Sequence, residues 1–416
     1  MRFSGLTIHA WRQFQHVELE FHPRVTIITG ANGAGKSTLL RLLSQQFGWA
    51  FQLLSTPEKA PQGSQRYLSG IRSWLRRPPA EPTNSIGSVT YSNGVSSYIL
   101  IPETSGPAYH VQFSNAQPME GLQISSHRAQ SSYQAVSAVP TNALSVQQAY
   151  QAYYNEMVNK YNNSFSSFSP TYRMKEAIIS MAMFGPGNAN VSANPVLSAA
   201  YDAFKRVLRD ILPESIGFMD LSIRVPDVVI VTKSGEFMLD AASGGLMSLI
   251  DLAWQVFLYG YDKSEFVVIL DEPENHLHPS MQRRILSDLS RAFPSAQFVV
   301  ATHSPFVVSS VKDSAVYVLR HAEGEFVEGS ALQRTVSSLR LDRANKAGTA
   351  SEILRDVLGV PITLPEWAES ELRQIADQYE ADELTPDGIK RLRADLSNAG
   401  LAEYYPDALQ AIVERA

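Results

Sequence analysis

The segment Gly30-Ala31-Asn32-Gly33-Ala34-Gly35-Lys36-Ser37 fits the spacing G-x-x-x-x-G-K-[ST], and it constrains the fold of this 416-residue chain more than any other feature. Val25-Thr26-Ile27-Ile28 before it reads as a buried strand, and Leu39, Leu40, Leu42 and Leu43 after it supply the apolar side of a helix. A phosphate-cradling turn needs that setting. Its glycines let the backbone wrap an anion, with amide N–H groups and the helix N-terminus facing the charge. The lysine reaches the β/γ oxygens and the serine hydroxyl ligates Mg²⁺. Gly30 to Ser37, with Thr38, are therefore the candidate nucleoside-triphosphate site, Lys36 its phosphate contact and Ser37 a metal ligand. A glycine-rich turn carrying a surface lysine is the alternative, and the flanking strand and helix speak against it.

Composition fits a water-soluble globular chain. Hydrophobic residues make up 44%, enough for a sizeable core in one large α/β domain or several smaller ones. No window approaches the ~18 consecutive apolar residues of a membrane span, and Met1-Arg2-Phe3-Ser4-Gly5 leads straight toward a strand pattern, so a cytoplasmic chain with no membrane partner is expected. The absence of cysteine excludes disulfides, thiolate metal sites and cysteine nucleophiles. The net charge of -6 hides an asymmetry: residues 1–100 hold ten Lys/Arg against four Asp/Glu, and residues 366–416 five against twelve. A bound polyanion would favour the N-terminal part.

Alternation over Leu6–Trp11 and Val17–Phe21 predicts antiparallel strands leading into the loop. Residues 53–82 are turn-rich. Short strands are expected near Ile86–Tyr91, Ser97–Ile101, Tyr109–Phe113 and Leu122–Ser125, then at Leu221–Val225 and Val228–Thr232 with a Ser234-Gly235 turn. Between them, helical spacing of Tyr150, Tyr153, Tyr154, Met157 and Tyr161, a break at Asn162–Ser169, and renewed spacing of Ala199, Phe204, Val207, Leu208 and Ile211 predict a helical insertion over 141–213.

A second chemical block fills 240–320. Phe266-Val267-Val268-Ile269-Leu270 is an apolar strand ending in Asp271-Glu272, placing Asp271 for a Mg²⁺ shell and Glu272 to polarise the attacking water. Phe298-Val299-Val300-Ala301-Thr302 is another buried strand, ending at His303, which would sit beside the γ-phosphate. Ala242-Ser243-Gly244-Gly245-Leu246 opens an apolar helix. Ser243 reads either as an ordinary N-cap or as part of an anion-binding helix end offered to a second molecule's nucleotide.

The order of these motifs resembles the ATP-binding-cassette ATPase heads of the SMC, RecF and OLD group over roughly residues 1–320. Asp271-Glu272-Pro273-Glu274-Asn275-His276-Leu277-His278-Pro279 is similar to the DEPExxLHP form of the carboxylate strand and D-loop, and Thr302-His303-Ser304-Pro305 to the THSP switch. The resemblance implies a P-loop ATPase head of α/β class with an N-terminal antiparallel β subdomain, a helical insertion and a C-terminal helical extension. The corresponding segments are 1–140, 141–213, 214–325 and 326–416. It implies ATP and Mg²⁺ as ligands and catalytic roles for Lys36, Glu272 and His303. Ser243, Gly244 and Gly245 would act in trans as a signature that departs from LSGGQ at Ala242 and Leu246. His276, Leu277 and His278 would form the D-loop, Arg12 would lie near the nucleotide, and His127 and Arg128 are the Q-loop candidates.

A head-to-head homodimer clamped by ATP, or a higher oligomer built through ATP-bound heads, is the implied assembly. Beyond the strand Ala315–Leu319 the chain reads as helical. Thr349-Ala350-Ser351-Glu352 and Thr363-Leu364-Pro365-Glu366 carry capping-box spacing, Ala368, Leu372, Ile375 and Tyr379 form a stripe, and Thr385-Pro386 opens a helix with Ile389, Leu392 and Leu396. Such stripes are either core or a partner-docking face. No nuclease pattern is read there, a feature similar to the ATPase components of bacterial anti-phage systems such as Septu and retron-linked ATPases. That implies a switch controlling a separately encoded nuclease or toxin. The alternative is a RecF-like DNA-repair clamp, for which Arg66, Arg72, Arg76 and Arg77 near Tyr67 and Trp74 are candidate phosphate contacts and nucleic acid the partner. The ATPase subunit of a membrane transporter is a third reading, disfavoured by the N-terminal strands, the insertion and the THSP form.

Overall fold

The computed structural model describes residues 1–48, 51–59, 65–70, 82, 84–102, 104–126, 133–139, 143–161, 164–322, 335–342, 348–358, 365–380 and 385–413. They fall into two units, Met1–Ala350 and Ser351–Ala416.

The first unit begins with β1 (Phe3–Trp11) and β2 (Phe14–Glu20), a hairpin in which Trp11 pairs with Phe14 across Arg12-Gln13. Next come β3 (Val25–Gly30) and α1 (Lys36–Ser44), whose Leu39, Leu40, Leu42 and Leu43 are buried as the spacing required. The stretch read as turns holds three short strands, β4 (Leu53–Leu54), β5 (Thr56–Lys59) and β6 (Gln65–Leu68). β7 (Ser85–Tyr91), β8 (Ser96–Leu100), β9 (Thr104–Ser105), β10 (Ala108–Tyr109), β11 (Gln112–Phe113) and β12 (Gly121–Ile124) follow. The single strand expected over Tyr109–Phe113 is thus two strands, which pair with different partners, β4 and β8.

Three helices form the insertion: α2 (Val146–Tyr161), α3 (Pro170–Phe184) and α4 (Pro195–Ile211). Ser169 ends the Asn/Ser-rich break by capping α3, accepting from the Tyr172 amide, and Pro170 suits the first helical position. The buried face of α4 is Leu197, Ala200, Phe204, Val207, Leu208 and Ile211. Ala200, one turn before Phe204, takes the place expected for Ala199, which is exposed. The insertion is not a body of its own: Phe204 packs edge-on against Trp254, ring centres 4.7 Å apart, within the first unit.

An antiparallel sheet follows, of β13 (Phe218–Arg224), β14 (Asp227–Thr232) and β15 (Gly235–Met238). α5 (Gly244–Gly260), β16 (Phe266–Asp271), α6 (Pro279–Gln282), α7 (Ile285–Ala292), β17 (Ala296–Ala301), α8 (Pro305–Val308), β18 (Ala315–Ala322) and β19 (Thr335–Arg340) complete the succession. An eleven-stranded sheet organises the unit in the order β11-β8-β7-β1-β2-β19-β18-β3-β17-β16-β12. Its β12, β16, β17, β3 and β18 end is parallel, and β11, β8, β7, β1 and β2 are antiparallel. β16 and β17 are buried along almost their whole length, as continuous apolar runs in a parallel sheet must be.

β19 corrects the expectation of an all-helical stretch from 326. It pairs with β18 and β2 and belongs to the main sheet, so a boundary at 325/326 would cut a hairpin.

The second unit has its own core. Helices Glu366–Ala376, Pro386–Asn398 and Tyr405–Val413 bury Ala368, Leu372, Ala376, Leu392, Leu396, Ala408 and Ile412 together, with Ile375 and Tyr379 packed beside them. The stripe is therefore core. Thr385 caps its helix by accepting from the Gly388 amide. The preceding helix starts after Pro365, which offers no side-chain cap; Thr363 of the expected capping box lies outside the described residues.

Candidate active site

Three adjacent parallel strands aim their C-terminal ends at one place. Ala301 of β17 pairs with Ile28 of β3 on one side and Asp271 of β16 on the other, so the glycine loop, the Asp-Glu pair and Thr302-His303 leave the sheet side by side. This is the crevice where open α/β sheets bind ligands.

Gly35 caps α1 in the left-handed region, φ 99°. A Cβ there would also come within 2.4 Å of the Phe14 ring and 2.7 Å of Gln13 Nε2, so only glycine suits a loop covered by the β1–β2 turn. The buried Lys36 ammonium donates to the carbonyls of Gly30 (3.0 Å) and Ala31 (3.2 Å) and lies 3.5 Å from His303 Nδ1. Burial lowers its pKa from the ordinary lysine value, against the raising effect of Glu272, Asp271 and Glu274.

Asp271 accepts a hydrogen bond from the Ser37 hydroxyl, and burial raises its pKa in spite of that bond. Its Oδ1 is buried with no hydrogen-bond partner. A hydroxyl beside a carboxylate with an unused oxygen fits a divalent cation that takes its remaining ligands from phosphate and water. Among the described residues no group of three or more His, Asp or Glu is arranged to hold a metal by itself.

Glu272 follows with φ 48°, uncommon for a non-glycine residue and of the sort that clusters at functional sites. Its amide donates to Ala301 O (2.8 Å), and Asn275 Nδ2 donates to its Oε2 (3.2 Å). Oε1 stands 3.6 Å from His303 Nε2, with both side chains about one-third exposed. His303 therefore bridges Lys36 and Glu272. Burial, then the neighbouring Lys36, hold its pKa below the usual histidine value.

Glu274 is the residue whose part the sequence did not disclose. One oxygen accepts from the Thr302 hydroxyl (2.5 Å) and from the amides of His303 (3.0 Å) and Ser304 (3.2 Å), tying the histidine loop to the carboxylate loop. Burial raises its pKa. The signal available was a second acid two residues beyond the strand-end pair, separated from it by Pro273.

Ser243 accepts from the Leu246 amide (3.4 Å) as the N-cap of α5, so the capping role is real. Gly245 lies where a Cβ would be 2.8 Å from the His276 carbonyl oxygen, so the Ser243-Gly244-Gly245 turn rests on the His276-Leu277 segment of its own chain. His276 has φ 70°, Leu277 is buried, and His278 caps α6 by accepting from Ser280 N. The Arg12 guanidinium donates to Leu54 O (2.7 Å) and lies over Trp11, 5.1 Å from its ring centre. The Q-loop candidates His127 and Arg128 lie outside the described residues, as do Arg72, Trp74, Arg76, Arg77 and the Arg66 side chain.

Two family models match the chain. One, described as "AAA domain", covers residues 5–135, and the other, "AAA domain, putative AbiEii toxin, Type IV TA system", covers 235–309. Between them they take in the glycine loop, the Ser243-Gly244-Gly245 turn, the Asp-Glu strand and the strand end at His303. Over those two stretches the chain is similar to AAA-domain ATPases.

Among curated relatives, "Septu protein PtuA" of Bacillus mycoides is 28% identical over 166 residues, 39% of this chain and 21% of that protein. Its Bacillus thuringiensis namesake is 26% identical over 164 residues, 37% of this chain and 40% of that one. "Retron Vc95 probable ATPase" of Vibrio cholerae is 35% identical over 60 residues, 14% of this chain and 12% of that protein. The chain thus spans less than half the length of these relatives. Of solved structures, the SMC head domain from Thermotoga maritima aligns at TM-score 0.43 and 15% identity over 82% of this chain and 100% of that one. Among the described residues no helix is long and apolar enough to cross a membrane.

Proposed function

We propose that this chain is an SMC/RecF/OLD-like ATPase that binds ATP with Mg²⁺, closes head to head with a second copy, and hydrolyses ATP to reopen. Through that cycle it controls a separately encoded effector, a nuclease or toxin, in the cytoplasm as part of bacterial anti-phage defence. The observation that carries this reading is the convergence of Lys36, His303 and Glu272, at 3.5 Å and 3.6 Å across His303, from three neighbouring strand ends.

Lys36 meets the β/γ oxygens, supplying fixed positive charge where negative charge sits. Glu272 takes a proton from water as its oxygen attacks the γ-phosphorus and the bond to the ADP oxygen breaks. His303, with its depressed pKa, is neutral near pH 7 and donates a single hydrogen bond to the γ-phosphate. Ser37 and Asp271 would hold Mg²⁺, which neutralises phosphate charge. Ser243 and Gly244 of one copy would face the nucleotide on the other, giving the clamp two states biased by γ-phosphate contacts. The Septu and retron names of the relatives support a separate effector as the output.

Glu272→Gln tests the chemistry. Turnover should fall by about 10²–10⁴ while ATP binding persists, as on losing a general base; unchanged turnover would displace Glu272. The tagged Glu272→Gln chain, recovered from its host with ATP and Mg²⁺, should bring a stoichiometric nuclease or toxin. DNA and repair proteins alone would replace the switch by the RecF-like clamp.

A further inference from the structure

Lys175 of α3 is completely buried, away from the nucleotide centre. Its ammonium donates to Asp227 Oδ1 (3.0 Å), the first residue of β14, and to Asp240 Oδ2 (2.6 Å) in the single turn Leu239–Ala241. Tyr133 OH donates to the other oxygen of Asp227 (3.2 Å). The other oxygen of Asp240 is buried with no hydrogen-bond partner.

One ammonium between two carboxylates is costly to bury, and apolar residues of equal volume commonly serve stability as well or better. The best-attested use of such a group is to fix register. Chain order shows what is fixed here. Asp240 lies three residues before Ser243, and the Ala242 amide closes the intervening turn on Leu239 O (3.1 Å). Ser243 then caps α5, with the Met247 amide on its carbonyl (2.8 Å). With Asp240 held on α3, the turn cannot rotate without stranding a buried charge. From the other direction, Gly245 abuts the His276 carbonyl. The Ser243-Gly244 edge is therefore held on one side by the helical insertion and on the other by the loop that follows Glu272.

We propose that Lys175 is the positioning residue of the signature turn, through which the insertion presents Ser243 and Gly244 to the second copy's nucleotide. The presentation, though not the positioning, rests on the head-to-head reading.

The test uses the full-length Glu272→Gln chain as parent and adds Lys175→Met, or Lys175→Met with Asp227→Asn and Asp240→Asn. The triple change removes the cation together with both buried charges, so it separates loss of the link from the penalty of an unpaired charge and stands in if Lys175→Met fails to fold. Hydrogen exchange of residues 239–250 reads the turn whether or not copies associate, with residues 36–44 as control. In the triple variant, exchange at 239–250 should rise about tenfold with 36–44 unchanged. ATP affinity of the monomer should stay within about twofold and the ATP-dependent dimer should weaken about thirtyfold. Parental exchange at 239–250 in the triple variant would overturn the proposal, leaving Lys175 a charge balancer. Raised exchange with an undiminished dimer would overturn the presentation alone. A parent that does not dimerise with ATP would sink the head-to-head reading, and the exchange result would still decide the positioning.

Discussion

Glu274→Ala is the substitution whose cost follows most directly from the geometry. It removes an oxygen that accepts from the Thr302 hydroxyl and from the amides of His303 and Ser304. The Ser304 amide keeps a second acceptor, Thr302 Oγ1 at 2.9 Å, so two donors are left unsatisfied. At about 1–3 kcal/mol each, less about 1–2 kcal/mol for relieving the partnerless Oε2, the net loss is about 1–4 kcal/mol. Glu274→Gln keeps an acceptor in place and should stay within about 1 kcal/mol of the parent. Urea unfolding followed by tryptophan fluorescence reports on the first unit through the fully buried Trp11 and Trp254.

A pH series adds a sign. Because the folded-state pKa of Glu274 is raised, the native state binds this proton more tightly than the unfolded chain. The carboxyl's contribution is then fully present below its unfolded value and is lost as pH rises through the folded one. The stability of the parent relative to Glu274→Gln should therefore fall as pH rises above the ordinary glutamate range. An alanine variant within about 0.5 kcal/mol of the parent would refute the clamp, and a parent advantage over Glu274→Gln that grows with pH would refute the raised pKa.

The depressed pKa of His303 implies that turnover falls only when pH drops below the ordinary histidine range, as a second cation forms beside Lys36. In His303→Gln the pH–rate profile should lose that acid limb, and the rate should drop about 10²-fold. Gly245→Ala would drive a Cβ to 2.8 Å from a backbone oxygen and should cost about 1–3 kcal/mol, seen as a lower melting temperature with monomer ATP affinity unchanged.

The loop Gly30–Ser37, the Asp271-Glu272 strand and the Thr302-His303 strand end were readable because each motif is contiguous, and its flanking residues alone fix strand, turn or helix. The order of those motifs carried the family resemblance. Period also located the insertion, but it did not reveal α3, it counted the exposed Tyr161 into the stripe, and it could not tell which of Ala199 and Ala200 faces inward, since two alanines carry no contrast. Local pattern failed at β19, where Thr335-Val336-Ser337-Ser338-Leu339-Arg340 buries little beyond Val336 and is a strand because β18 and β2 accept it.

The convergence of Lys36, His303 and Glu272 required strand order, which no local pattern encodes. Glu274 entered the sequence reading only as part of the DEPExxLHP form, and its role appeared only when Thr302 was brought beside it from 28 residues away. Lys175 lay outside every pattern read from the sequence, and its partners Asp227 and Asp240 stand 52 and 65 residues on. Sequence determined the pieces whose conformation depends on near neighbours. Tertiary structure decided which charges are buried and against whom, because desolvation and pairing depend on distance in space and not on separation along the chain.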